Sequence, residues 1–237
     1  MKHERKGDFF EYAPPRVLFG QSEEERKNYY KSQFDLLIKY WNRIPWRQWG
    51  VGSAKQLPDI LREIGAGETV LKVVDGNLTR CIDIVAVFIF NKNGEWLVEK
   101  PQVMSDGRIR NRRFPYISEK LRLGEDPIDS AIRAVKEESE GNILPTKERL
   151  IVGDKITLDQ NDPYNTGSSS YPGLFSLKTL FTFAVIIEDS EYKKKYTEVD
   201  VSGTVTEHVW KPFSENQWYT GRSIEKEMSK RLCYISS

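Results

Sequence analysis

The chain reads as an α/β protein of the mixed α+β kind, in which a sheet lies between helices and a helical extension precedes it. Three observations carry that reading. Residues 69–99 hold a hairpin signal and a further returning strand with no room for a crossover helix, so these strands are antiparallel neighbours. Residues 127–139 place apolar side chains at helical spacing along one face. Residues 180–187 form a strong apolar strand in the second half.

Composition narrows the function classes. The 237 residues are long for one small domain and short for two large ones. Hydrophobic residues at 38% and aromatics at 12% can build a core, which excludes a disordered chain. With 36 basic against 35 acidic residues the net charge is +1, which argues against nucleic-acid binding by overall charge and leaves room for a local basic patch. Cys81 and Cys233 match no zinc spacing and fit a reducing compartment or core filling. No apolar run reaches the length of a membrane span, and the first six residues lack the apolar core of a signal peptide. The expectation is an intracellular protein of the cytoplasm or an organelle, with no membrane partner.

The extension comes first. Residues 1–20 read as extended, with Pro14-Pro15 blocking a helix. Ser22 and Glu25 have capping-box spacing, and a helix follows to about Trp41. Its apolar side is Tyr29, Tyr30, Phe34, Leu37, Ile38 and Trp41, wide enough to dock on a body. The cluster Trp46-Arg47-Gln48-Trp49 either stacks bases or, as the commoner use of such tryptophans, seats a connector. Leu57, Ile60, Leu61 and Ile64 mark a short helix ending at Gly65. The expected division is residues 1–66 as a largely helical extension and 67–237 as the main domain.

In the main domain, residues 70–74, a turn at Asp75-Gly76-Asn77 and an apolar run over 82–90 form the hairpin. A second turn at Asn91–Gly94 leads to a strand over 96–99. If the following basic run is extended, Arg108, Arg110 and Arg112 share one side. There they either clamp phosphates through their guanidinium forks or keep a sheet edge soluble. Residues 150–152 and 156–158 read as short strands, 161–170 as a loop, and 188–203 as a charged, exposed insertion. Residues 205–210 alternate as a strand, Ser214-Glu215 turns, and 223–232 form a terminal helix.

The candidate site lies on the helix over 127–139. Asp126 suits the N-cap, Pro127 the first helical position, and Asp129 the positive end of the dipole. Ile128, Ala131, Ile132 and Val135 form the buried stripe, and Gly141 ends the helix. Arg133 and Glu137, four residues apart, can touch, while Glu138 lies on the flank of the stripe. A carboxylate pair at a helix end, with Glu125 at its entrance, suits a hard divalent cation. The plainer alternative is a solvated acidic flank.

The run from Glu119 to Gly141 resembles a diverged Nudix box, the signature of hydrolases acting on a nucleoside diphosphate linked to another group. The pattern is G-x5-E-x7-R-E-U-x-E-E-x-G-U, with U a bulky aliphatic. Glu125, Arg133, Val135, Glu137 and Glu138 match it. Glu119 replaces the opening Gly, Ala134 replaces the Glu after the Arg, and Glu140 stands as an extra residue before Gly141. Ser118-Glu119-Lys120, with the later Ser169-Ser170-Tyr171-Pro172-Gly173, is also similar to a Ser-Glu-Lys variant subgroup. The resemblance covers about residues 80–232. It implies an α/β/α sandwich with a mixed sheet and hydrolysis assisted by Mg²⁺ or Mn²⁺. Glu137 and Glu138 would be catalytic, Glu125, Glu137 and Glu138 would ligate the metal, and Arg133 would be structural. Lys120, Arg108, Arg110 and Arg112 would meet phosphate, and Tyr171 would stack a base. Activity would be weakened by Ala134. The alternative it implies is an inactive module that binds a nucleotide, RNA or a protein within a larger assembly, with the RNA or protein partner reached through the extension.

Overall fold

A computed structural model describes residues 22–213, apart from residues 53, 104–106, 108, 111–115, 159–167, 169 and 200–202. The expectations for residues 1–20, Arg108, Arg112, Ser169, the Ser214-Glu215 turn and the helix over 223–232 lie outside the described residues. So does the side chain of Arg110.

The fold is mixed α+β around a mixed sheet, as expected, and the sheet has ten strands among the described residues. Helix α1 (Glu23–Lys39) opens with the capping box, in which Ser22 and Glu25 satisfy each other's backbone. Two single turns of 3₁₀ helix lead to α2 (Leu57–Gly65). Strand β1 (Val70–Val74) pairs antiparallel with β2 (Asn77–Phe90) across a two-residue turn. Asp75 and Gly76 both take left-handed φ there, which matches the twist of the flanking strands. Strand β3 (Glu95–Glu99) returns beside β2. Strands β4 (Gln102–Val103) and β5 (Ile109–Arg110) form one rim of the sheet. Strand β6 (Ile117–Lys120) pairs with the middle of β2 and leads into α3 (Pro127–Glu138).

The second half differs from expectation in two places. The short strands expected over 150–158 are one strand, β7 (Ile151–Leu158), with its register shifted between Val152 and Lys155. It pairs with β8 (Phe175–Ile186), which runs parallel to β2 along its whole length and makes the sheet mixed. The charged stretch over 188–203 is not simply an exposed insertion. It holds strand β9 (Lys195–Val199), whose Tyr196 is buried in the α3-side core, paired with β10 (Val205–Pro212). Lys195 reaches water while its neighbour Tyr196 points inward, and a count of charges does not show that alternation.

Alternation along β2 divides the core. Val85, Val87 and Ile89 face α3 with Ala131, Ala134 and Val135. Ala86, Phe88 and Phe90 face the other way with Trp96 and Tyr116. At the start of β2 that second face is covered by the N-terminal layer, where Leu37, Tyr40, Ile60 and Ile64 pack on Leu71, Leu78 and Tyr171. The apolar side expected of α1 therefore splits. Leu37 is buried, whereas Phe34, Ile38 and Trp41 stay exposed, because Gln33 takes a buried position where its side-chain oxygen accepts from the backbone N–H of Leu71. Among the described residues no helix is long and apolar enough to cross a membrane.

Candidate functional site

The helix α3 forms where expected. The Asp126 carboxylate accepts from the Ile128 N–H at 2.8 Å, and Pro127 begins the first turn. The far end is a Schellman closure. The N–H of Gly141 donates to the Lys136 carbonyl, and that of Glu140 to the Glu137 carbonyl. Glu140 itself holds the left-handed position, at φ 51°. It is therefore not an extra residue ahead of the closing glycine: it stands where the box pattern has glycine, and Gly141 follows it.

Arg133 is the hub of the box. Its Nε and Nη2 donate to the two oxygens of Glu125 at 2.9 and 3.0 Å, a bidentate fork. Its Nη1 reaches Glu137 Oε2 at 3.3 Å, and Nη2 also donates to the Lys120 carbonyl at 3.1 Å. Glu119 Oε1 lies 3.9 Å from Nη1. Burial opposes ionisation of Glu125, but the Arg133 bonds and the Arg122 N–H outweigh it and hold its carboxyl below the usual range. At Glu119 burial prevails over Arg133 and pushes the carboxyl up.

The adjacent carboxylates part company. Glu137 is half exposed, with a side-chain exposure of 50%, on the Arg133 side. Glu138 is buried rather than flanking the stripe, and its Oε2 lies 3.5 Å from Nε2 of the buried His208, an ion pair when the imidazole is protonated. His208 pairs in register with Glu99 on β3, so these buried polar side chains share the α3 side of the sheet. Neither Glu99 nor His208 was a sequence candidate. The alternation Thr206, His208, Trp210 was visible, but the register that sets His208 under the end of α3 was not. Ala134 lies one turn before Glu138, fully within the core. A carboxylate there would point under the helix beside Glu138.

A divalent cation fits the donor set in part. Glu137 and Glu138 offer carboxylate oxygens from consecutive positions, and Mg²⁺ commonly completes its shell with water and phosphate. Among the described residues, no three His, Cys, Asp or Glu side chains converge on a metal position.

Two other expected contacts, Lys120 and Tyr171, fall on the opposite face of the sheet. Lys120 Nζ lies 2.8 Å from Glu63 Oε1 and 3.2 Å from Glu68 Oε2. Tyr171, expected to stack a base, is fully buried, with its ring against Trp49 at 5.1 Å and the Arg80 guanidinium 5.1 Å away. The ring is packed inside the protein, which corrects that expectation. Gly173 explains the close seating of this loop: at φ 85°, a Cβ there would collide with the ring of Pro45.

Sequence reasoning missed the centre of this second cluster. Glu63 has a side-chain exposure of 2% and accepts from Arg80 at 2.7 Å, Lys55 at 2.8 Å and Thr69 at 2.9 Å, besides Lys120. Burial opposes its ionisation, yet Arg80, Lys120 and Lys55 together hold the carboxyl far below the usual range. The signal was a carboxylate three residues after Ile60, on the side of α2 that the apolar spacing buries.

No protein-family model matches the chain, and no curated protein matches it. Solved structures do. One is MutT, from a study of Aliivibrio salmonicida and Vibrio cholerae MutT (17% identity, 66% of this chain and 97% of that chain, TM-score 0.28). Another is the MutT protein of Methanosarcina mazei Go1 (15% identity, 66% and 96%, TM-score 0.32). A third is the C. elegans Ap4A hydrolase (19% identity, 46% and 71%, TM-score 0.27).

Proposed function

We propose that the chain is a Nudix-type hydrolase of a nucleoside-diphosphate-linked metabolite, with weakened activity and dependence on Mg²⁺ or Mn²⁺. The observation that carries the reading is the Arg133 hub: one guanidinium orients Glu125 and Glu137 while α3 places Glu138 next to Glu137. In this reading Glu137 and Glu138 hold the cation, with Glu125 contributing from the loop, and Arg133 stays structural. The cation would supply Lewis acidity and a hydroxide source. The chain's own residues would position it and bind the diphosphate, the latter through the arginines 108, 110 and 112.

A second reading is a binding module without turnover, for nucleotide, RNA or protein. The buried Ala134 favours it, since the box there lacks the third helix carboxylate. So does the bidentate engagement of Glu125 by Arg133, which leaves that carboxylate occupied.

The test is hydrolysis of a panel of nucleoside-diphosphate derivatives with Mg²⁺ or Mn²⁺, together with the cation's effect on the melting temperature. A saturating cation at a hundredfold excess over Kd stabilises by about 2.7 kcal/mol. Glu138→Gln is expected to lose both hydrolysis and the melting increment. Equal cation effects on wild type and variant, with no turnover, would leave the binding module as the reading.

A further inference from the structure

We propose that the N-terminal layer is a working part of the box, with Glu63 as a positioning residue that acts on Arg133 through Lys120. The inference rests on the hydrolase reading only for its consequence at the cation; its structural core stands apart from it.

Lys120 ends β6 and carries a bond to each face of the sheet. Its ammonium is held by Glu63 and Glu68 on the α2 side. Its carbonyl accepts from Arg133 on the α3 side. Glu63 cannot drift, because Arg80, Lys55 and Thr69 all bond it in a buried setting. A fixed carboxylate thus fixes the end of β6, and with it one of the acceptors that orient the guanidinium. That guanidinium in turn divides its donors between Glu125 and Glu137.

An independent contact reaches the same loop. Gly67, in the bend between α2 and β1, has φ 73°, and a Cβ there would come within 2.7 Å of Leu123 Cβ and 2.9 Å of the Leu123 nitrogen. Leu123 packs with Val70 and Cys81, and the Arg122 N–H donates to Glu125 Oε2 at 2.8 Å. The bend is fitted against the loop that presents Glu125. Two contacts from the N-terminal layer therefore set the loop over 121–125, one by charge and one by close packing. Coupling through such a chain is established only when both ends respond together.

The experiment is a double-mutant cycle on the full chain with Glu63→Gln and Lys120→Met, read by amide hydrogen exchange and by Mn²⁺ titration. In each single variant the amides of Leu121 and Glu125 should exchange about tenfold faster relative to those of β2 and β8, a change in the range of measured couplings. The Mn²⁺ half-saturation should rise by a similar factor, and the double variant should add little to either single one. The proposal is overturned if Glu63→Gln lowers the melting temperature while the relative exchange at 121–125 stays put, or if the two substitutions add. If Glu63→Gln fails to fold, Lys120→Met alone decides, since its ammonium is partly solvated. Absence of Mn²⁺ binding in the wild type would sink the hydrolase reading and leave the exchange result to judge this one.

Discussion

Two ionic clusters face each other across the sheet, and they are near mirror images in charge. On the N-terminal side one carboxylate, Glu63, gathers Arg80, Lys55 and Lys120. On the α3 side one guanidinium, Arg133, gathers Glu125, Glu137 and Glu119. Their solvent settings differ. Glu63 and Arg80 have side-chain exposures of 2% and 6%, whereas Arg133 stands at 18% beside the half-exposed Glu137. A charge inside the protein must be matched by fixed partners, since water cannot do it. A charge at the rim can exchange a protein partner for water or a ligand. The first cluster is a fastener, and the second has the openness that a binding site needs.

The contrast is broken most severely at Glu63. Glu63→Leu leaves Arg80 buried without its carboxylate, and urea unfolding should show a loss of about 3–5 kcal/mol. Lys55 and Lys120 are partly exposed and can rehydrate, so most of that loss belongs to Arg80.

Acid should sharpen the same difference. The carboxyls of Glu63 and Glu125 are both lowered in the folded state, so below the unfolded value of about 4.3 the unfolded chain binds more protons. Their stabilisation is present above that value and is lost as pH falls through the folded values. Unfolding free energies measured from pH 6 downward should fall, and Glu63→Gln should flatten that slope more than Glu125→Gln, because Glu63 is the more strongly lowered.

Arg133→Met is expected to cost less than Glu63→Leu, about 2 kcal/mol by chemical denaturation, since Glu125 keeps the Arg122 N–H and lies near water. A loss as large as that at Glu63 would mean the rim cluster is a fastener too. The smallest effect is a gain. Glu140→Gly removes a left-handed non-glycine residue and should raise stability by about 0.5–1 kcal/mol, visible as a higher melting temperature.

Local chemistry made much of this readable in advance. Asp126, Pro127 and the stripe through Ala131 and Val135 specify α3 because capping and helical spacing act within a few residues. The Ser22–Glu25 box and the turn at Asp75-Gly76 are of the same kind. The Arg133–Glu137 contact follows from one helical turn, whereas the pairing of Arg133 with Glu125, eight residues apart, came only with the folding of the loop before α3.

What the sequence could not determine depends on which strands are neighbours. His208 lies under the end of α3 because β10 inserts between β3 and β9, residues more than a hundred positions after β3. Glu138 turned inward for that reason, although spacing placed it on the flank. Tyr171 was lost to a base because Trp49 and Arg80, each far from it in the chain, closed on its ring. Glu63 found its cations from α2's connector, β2 and β6 together. By itself the sequence determined α1, α2 and α3, the hairpin and the carboxylates of the box, since those are short-range choices of backbone and side chain. Only the tertiary structure decided which charges are buried, which stay at the rim, and that Lys120 joins the two.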